Sequence, residues 1–233
     1  MAKAKTAYVC TECGAEHAKW QGQCIACGAW NTLSAIVLQG ASAASVGAQR
    51  SNYAGRAAGS AQITALSAVA LATEQRISTG LGELDRVLGG GLVEGSVVLI
   101  GGDPGIGKST LLLQVLGQLG TRLSSVYVTG EESLAQVAAR ARRLGIALEP
   151  LQALAETCVE RILEQAMQVR PRVLVIDSIQ TIWTELLPAA PGSVSQVRES
   201  AAKLTRFAKE TGTSVFLVGH VTKDGGIAGP RVL

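Results

Sequence analysis

Four cysteines stand near the start of the chain in the spacing C-x2-C-x10-C-x2-C: Cys10, Cys13, Cys24 and Cys27. A Cys-x-x-Cys turn presents two thiolates to one cation, and two such turns complete the tetrahedron of a structural Zn²⁺ site. Four sulfurs leave no open coordination position, so the expected site is structural rather than catalytic. The competing reading is a set of thiols in redox use. His17 lies between the two pairs as a substitute ligand, but four cysteines suffice without it. Trp20 and Trp30 flank the second pair; they either cover the metal, the preferred reading, or stack on a nucleobase. Cys158 has no partner pattern and is expected near a helix start, chemically inert.

The second chemistry-bearing stretch is GGDPGIGKST, in which Gly102, Gly107, Lys108 and Ser109 match G-x-x-x-x-G-K-[ST]. This pattern builds a loop whose backbone N–H groups cradle phosphates. The expected nucleotide-binding residues are Gly102, Asp103, Pro104, Gly105, Ile106, Gly107, Lys108, Ser109 and Thr110. Lys108 reaches the β- and γ-phosphate oxygens of ATP, and Ser109 ligates Mg²⁺. The motif needs a strand before it and a helix after it. SVVLIGG before and LLLQVLGQL after satisfy that requirement.

Three further positions carry chemistry. Asp177 ends the apolar run RVLVIDS and fits the acid that holds Mg²⁺ directly or through water. Glu131 and Glu132 follow SSVYVTG, where a carboxylate can orient and deprotonate an attacking water; the bland alternative is an acid pair complementing a helix dipole. His220 ends TSVFLVGH, either as a γ-phosphate sensor or as a capping or core histidine.

The elements that must position these residues alternate. Strands are expected at 96–102, 124–130, 151–155, 172–178 and 213–220. Helices are expected after the phosphate loop, from Ser133 with a Ser133–Gln136 capping box, from Thr157-x-x-Glu160, and over 194–210 with a Ser193–Gln196 capping box. Gly145 and Gly212 close two of them. Val194, Val197, Ala201, Leu204 and Ala208 form one apolar stripe at helical spacing. Strands alternating with helices predict a doubly wound, mostly parallel α/β sheet, with ligands at the carboxyl ends of its strands.

Composition bounds the rest. The chain has 233 residues, 47% apolar and 17% charged, enough for one large domain and a small one. Aromatics are 3%, so the core rests on aliphatic side chains. The net charge of +3 neither demands nor excludes a nucleic-acid partner. No apolar run reaches membrane-span length, and no apolar segment of a secretory signal follows the N-terminal lysines. The expected compartment is the cytoplasm, where paired cysteines favour metal over disulfides. Over residues 40–62, sixteen of twenty-three residues are Ala, Ser or Gly, which reads as a flexible tether. The expected domains are a C4 zinc finger at 1–33, a linker at 34–75 and a nucleotide-binding domain at 76–233.

Taken together, CTECG…KWQGQCIACGAWNT, STGLGELDRVLGGGLVEGSVVLIGGDPGIGKSTLLLQ, VTGEES, VLVIDSIQT, PGSVSQVRES and VGHVTKDGGIAGPRVL resemble the RadA family of bacterial DNA repair proteins, also called Sms. The resemblance covers nearly the whole chain outside the tether. It implies a RecA-like P-loop NTPase core preceded by a zinc-ribbon module, and a DNA-stimulated ATPase that forms homo-hexameric rings. Such an enzyme helps a recombinase protein process and extend branched recombination intermediates (branch migration and strand-exchange support) and couples ATP hydrolysis to single-stranded DNA. It assigns the catalytic glutamate to Glu131 rather than Glu132, the Mg²⁺ acid to Asp177, and the coupling of nucleotide state to DNA to His220. Lys223 and Arg231 fall in a DNA-facing loop, with Trp183–Gly192 as a second candidate. The family's pattern continues with further core strands, a Lys-Asn-Arg-Phe-Gly motif and a Lon-protease-like domain, so the chain reads as C-terminally truncated at Leu233, with an unpaired sheet edge. Binding of ATP and Mg²⁺ is therefore the firmer expectation for this chain than hydrolysis.

Two other readings compete. One is a RecA-like signalling or clock-type ATPase that switches protein partners without DNA, which gives no reason for the zinc finger. The other is a zinc adaptor carrying a relic nucleotide fold.

Overall fold

A computed structural model of the chain describes residues 5–10, 15–38, 65, 67 and 75–220. Cys13, Lys223, Arg231, Leu233 and the segment 40–62 lie outside the described residues.

The N-terminal part is a three-stranded antiparallel sheet. β1 (Lys5–Cys10) pairs with β2 (Glu16–His17) on one side and β3 (Leu33–Leu38) on the other. β3 begins at the expected edge of the zinc module and runs on into the stretch read as linker. A two-stranded ribbon, β4 (Arg76–Ile77) with β5 (Leu92–Val93), flanks helix α1 (Gly82–Val87).

The main sheet has five strands: β6 (Val97–Gly102), β7 (Ser125–Thr129), β8 (Gln152–Ala155), β9 (Val173–Asp177) and β10 (Ser214–His220). Their order is β6-β10-β9-β7-β8, and every pairing is parallel. Helices α2 (Lys108–Leu119), α3 (Leu134–Arg143), α4 (Val159–Val169) and α5 (Val194–Thr211) supply the crossovers. Among the described residues β6 pairs only with β10, so its far edge is open.

Successive strand residues face opposite sides of a sheet, and each side here has its own core. Leu174, Ile176, Val215 and Leu217 pack on one side with Ile162 of α4 and Val197, Ala201, Leu204 and Ala208 of α5. Val173, Val175, Phe216 and Val218 pack on the other with Leu112, Leu116 and Leu119 of α2. Strands buried on both faces read as continuous apolar runs, which is why VLVI and VFLV carry no alternation.

Two helix starts differ from the sequence reading. α5 does begin after Ser193, but the Ser193 side chain makes no cap; it contacts Ser195 instead. Gln196 is buried and turned away, holding the loop before the helix. Its Oε1 accepts from Thr184 N at 2.7 Å, and its Nε2 donates to the carbonyls of Thr184, Leu187 and Ala189. In α4 the N-cap is Cys158 rather than Thr157, and the Glu156 carboxylate accepts from the N–H groups of Thr157 and Cys158. Ser133 and Gln136 do form the reciprocal capping box expected of α3.

A candidate nucleotide site and a cysteine cluster

The carboxyl ends of the parallel strands gather most of the expected site residues. His220 at the end of β10 is the register partner of Gly102 at the end of β6, and Asp177 at the end of β9 is the partner of Thr129 on β7. Four separate stretches of sequence are thus brought to one edge of one sheet, where ligands of open α/β sheets bind.

The loop Gly102–Gly107 links β6 to α2. Gly107 holds φ +103° as the residue before the helix, a left-handed conformation that a Cβ disfavours. The turn aims the first N–H groups of α2, beginning at Lys108, back into the loop, which suits an anion. Lys108 is 7% exposed, and its Nζ donates to the carbonyls of Gly102 at 2.7 Å and Asp103 at 2.8 Å. The ammonium is thereby held across the loop mouth. Asp103, Pro104, Gly105 and Ile106 form the exposed rim, with Ile106 71% exposed, while Ser109 and Thr110 open the helix half-buried.

The two adjacent glutamates have different surroundings. Glu132 is ion-paired to Arg140 of α3. Glu131 points to the sheet edge, where its Oε1 accepts from the Ser178 hydroxyl at 2.5 Å and lies 3.2 Å from His220 Nε2. The backbone before it is tightly placed: Gly130 N donates to the Asp177 carbonyl at 2.9 Å, and a Cβ on Gly130 would collide with the Thr181 hydroxyl. The His220 Nδ1 is buried and has no hydrogen-bond partner among the described residues.

Tyr127 is the residue that the sequence reading missed. It is 2% exposed on β7, and its hydroxyl donates to Asp177 Oδ2, with Ser109 nearby. Burial, and then the adjacent Asp177 carboxylate, push the phenol far above its ordinary range, so it stays protonated. Ser109 and Asp177, expected from sequence to serve Mg²⁺, therefore lie on the same side of the sheet edge, with the phenol bonded to Asp177. Their hydroxyl and carboxylate oxygens are the hard donors that Mg²⁺ takes. The only sequence signal was one hydroxyl-bearing aromatic between two valines, Val126 and Val128.

The 182–192 segment is anchored at its start. Trp183 Nε1 donates to Thr157 Oγ1 at 3.1 Å, and its backbone bridges to Cys158 and Val159. Thr184 donates to the Glu160 carboxylate at 2.5 Å, and Lys203 of α5 is ion-paired to the same group. Burial works against ionising Glu160, but the Lys203 and Thr184 contacts outweigh it and bring the carboxyl down to about 2. Leu186, beyond this anchor, is 60% exposed. Cys158 is buried at the helix start as expected, and burial raises its thiol.

In the N-terminal sheet the sulfurs of Cys10, Cys24 and Cys27 lie within 4.8 Å of one another. Cys10 and Cys27 are 3.7 Å apart, close to the ~3.8 Å edge of a tetrahedron with Zn–S bonds of about 2.3 Å. The two turns are built alike: Cys10 N donates to Ala15 O, and Cys24 N to Ala29 O. These residues fit a zinc ion. His17 is buried beside them. Gln21 Nε2 donates to its Nδ1 at 2.8 Å, so its Nε2 carries the proton toward Cys24 Sγ at 3.4 Å. His17 is placed as a hydrogen-bond donor to a sulfur, outside the cysteine set. Trp20 and Trp30 stand 57% and 69% exposed.

Comparison with known proteins agrees with this geometry. Residues 64–226 match the family described as AAA domain, and residues 8–35 match that described as rubredoxin metal binding domain. Over the whole chain it is 59% identical to a DNA repair protein RadA of Pseudomonas aeruginosa, 53% to that of Escherichia coli and 48% to that of Bacillus subtilis. In each case the match covers 100% of this chain and 50–51% of the relative. The chain therefore spans about half the length of the curated relatives it matches. The architecture is that of a RecA-like P-loop NTPase with an N-terminal zinc-ribbon-like module. The phosphate loop and the cysteine cluster support ATP and Zn²⁺ as its ligands. No helix among the described residues is long and apolar enough to cross a membrane.

Proposed function

The chain belongs to the AAA-domain family, and from that premise we propose that it is the ATPase part of a DNA-dependent motor of recombinational DNA repair. The observation that carries this reading is the meeting of Glu131, Ser178 and His220 at the sheet edge that also carries the phosphate loop. The names of the relatives, DNA repair proteins, point the same way.

In this reading the turn Gly102–Thr110 wraps the phosphates of ATP, and Lys108 exchanges its two carbonyl partners for β- and γ-phosphate oxygens. Ser109 and Asp177 would hold Mg²⁺, which would supply neutralisation of the charge developing on the phosphates. Glu131 takes the proton of the attacking water. Lys223 and Arg231, which follow His220 in the sequence, are assigned to DNA phosphates. The bond of His220 to Glu131 gives DNA occupancy a direct handle on the general base. Cys10, Cys13, Cys24 and Cys27 hold Zn²⁺ in a module that folds on its own and is tethered to the ATPase core.

The substrates are single-stranded and branched DNA, the partner is a recombinase protein, the full-length assembly is a homo-hexamer, and the compartment is the cytoplasm. Fluorescence anisotropy with labelled single-stranded and branched DNA, with and without ATP, tests the reading on the full-length protein. Nucleotide-dependent binding is the expected result; ATP binding with no affinity for either DNA overturns it.

A further inference from the structure

We propose that Tyr127 is a positioning residue for the divalent-cation site, orienting Asp177, one of the two side chains that would hold the cation. The inference rests on the reading of Ser109 and Asp177 given above, and nothing in the phosphate-loop motif points to it.

The placement follows from sheet register. Tyr127 on β7 pairs with Val175 on β9, so Asp177 is its diagonal neighbour two residues further along the same face. Such neighbours lie about 7–8 Å apart, within reach of a long aromatic side chain. The ring fills the core beneath α2 beside Leu112, Leu116 and Val175, and the hydroxyl emerges at Asp177.

The direction of the bond follows from what each group can do: a carboxylate only accepts, so the phenol's single proton goes to Asp177 Oδ2. The carboxylate, held through Oδ2, has its rotation fixed and presents Oδ1. A phenylalanine would fill the same space and do none of this. A buried hydroxyl is costly unless bonded, and here its hydrogen bond goes to a candidate cation ligand.

The test is Tyr127→Phe beside Asp177→Asn, with Mn²⁺ as the probe in the presence of ADP and free Mn²⁺ counted by electron paramagnetic resonance. Removing an outer-sphere partner typically costs about 10–100-fold in metal affinity. Tyr127→Phe is expected to weaken Mn²⁺ binding by about tenfold or more, with ADP affinity in EDTA unchanged. Wild-type Mn²⁺ affinity in Tyr127→Phe, with Asp177→Asn weakened, overturns the role of Tyr127 alone. Wild-type affinity in both variants overturns the cation site itself. A readout on the unsubstituted protein guards against misfolding of the variant. The hydrogen-bond-sensitive tyrosine bands in ultraviolet resonance Raman spectra are expected to shift when Mg²⁺ joins the ADP complex. Unshifted bands overturn the proposal.

Discussion

His220 Nε2 stands 3.2 Å from Glu131 Oε1, joining the end of β10 to the turn after β7. The same oxygen accepts from Ser178, at the end of β9. One carboxylate oxygen thus gathers three strand ends, whereas the neighbouring Glu132 is committed to Arg140. The two glutamates are adjacent in sequence and differ in their partners.

That difference gives the first prediction. Glu131→Gln removes the proposed general base and is expected to lower ATP turnover about 10²–10⁴-fold, with nucleotide affinity within a few-fold of the parent. Glu132→Gln leaves Arg140 without its partner and is expected to cost about 1–3 kcal/mol of stability, read as a lower urea midpoint. Equal losses of turnover in the two variants contradict the assignment.

Gln196 supplies a prediction on the loop before α5. It makes four hydrogen bonds to Thr184, Leu187 and Ala189, and is 1% exposed. Gln196→Ala leaves those groups unpaired, at about 1–3 kcal/mol for a buried unsatisfied group. Hydrogen exchange of the Thr184 amide is expected to accelerate more than that of the β9 and β10 amides. Unchanged protection at Thr184 contradicts the role.

The Glu160–Lys203 pair makes the loop anchor sensitive to acid. Glu160 titrates at about 2 in the folded chain against an ordinary 4.5, so the folded state binds fewer protons in between. Its contribution to stability is fully present above about pH 4.5 and is lost as pH falls toward 2. Acid unfolding of Glu160→Gln is expected to show a shallower pH dependence in that window than the parent. An identical profile shows that the pair contributes nothing.

Zinc removal separates the two parts. Chelation is expected to unfold the three-stranded N-terminal sheet, since metal binding and folding are coupled in such modules. The thermal transition of the α/β core and its ATP affinity should be unaffected. Loss of ATP binding on chelation contradicts independent folding. His17→Ala is expected to speed zinc release to a chelator, since it removes the hydrogen bond to Cys24.

Local patterns carried much of the fold. The phosphate loop is a contiguous motif, and the apolar runs ending in Asp177 and His220 are buried strands whose last residues must lie at the ligand edge. What escaped depends on distant partners. Ser193-x-x-Gln196 fits a capping box as a string, but Gln196 has better partners in the preceding loop. Glu131 and Glu132 cannot be told apart by spacing, because Ser178, His220 and Arg140 separate them and none lies in the same motif. Tyr127 reads as core in a five-residue strand; its hydroxyl gains meaning only when β9 is laid beside β7, fifty residues from Tyr127 to Asp177.

The central claim is a nucleotide engine answering to DNA. ATP hydrolysis by this chain and by the full-length protein, with and without single-stranded DNA and beside Lys108→Ala, tests it most directly. The account predicts that DNA raises turnover of the full-length protein and that Lys108→Ala abolishes it. Turnover that no DNA alters, or that survives the loss of Lys108, contradicts it.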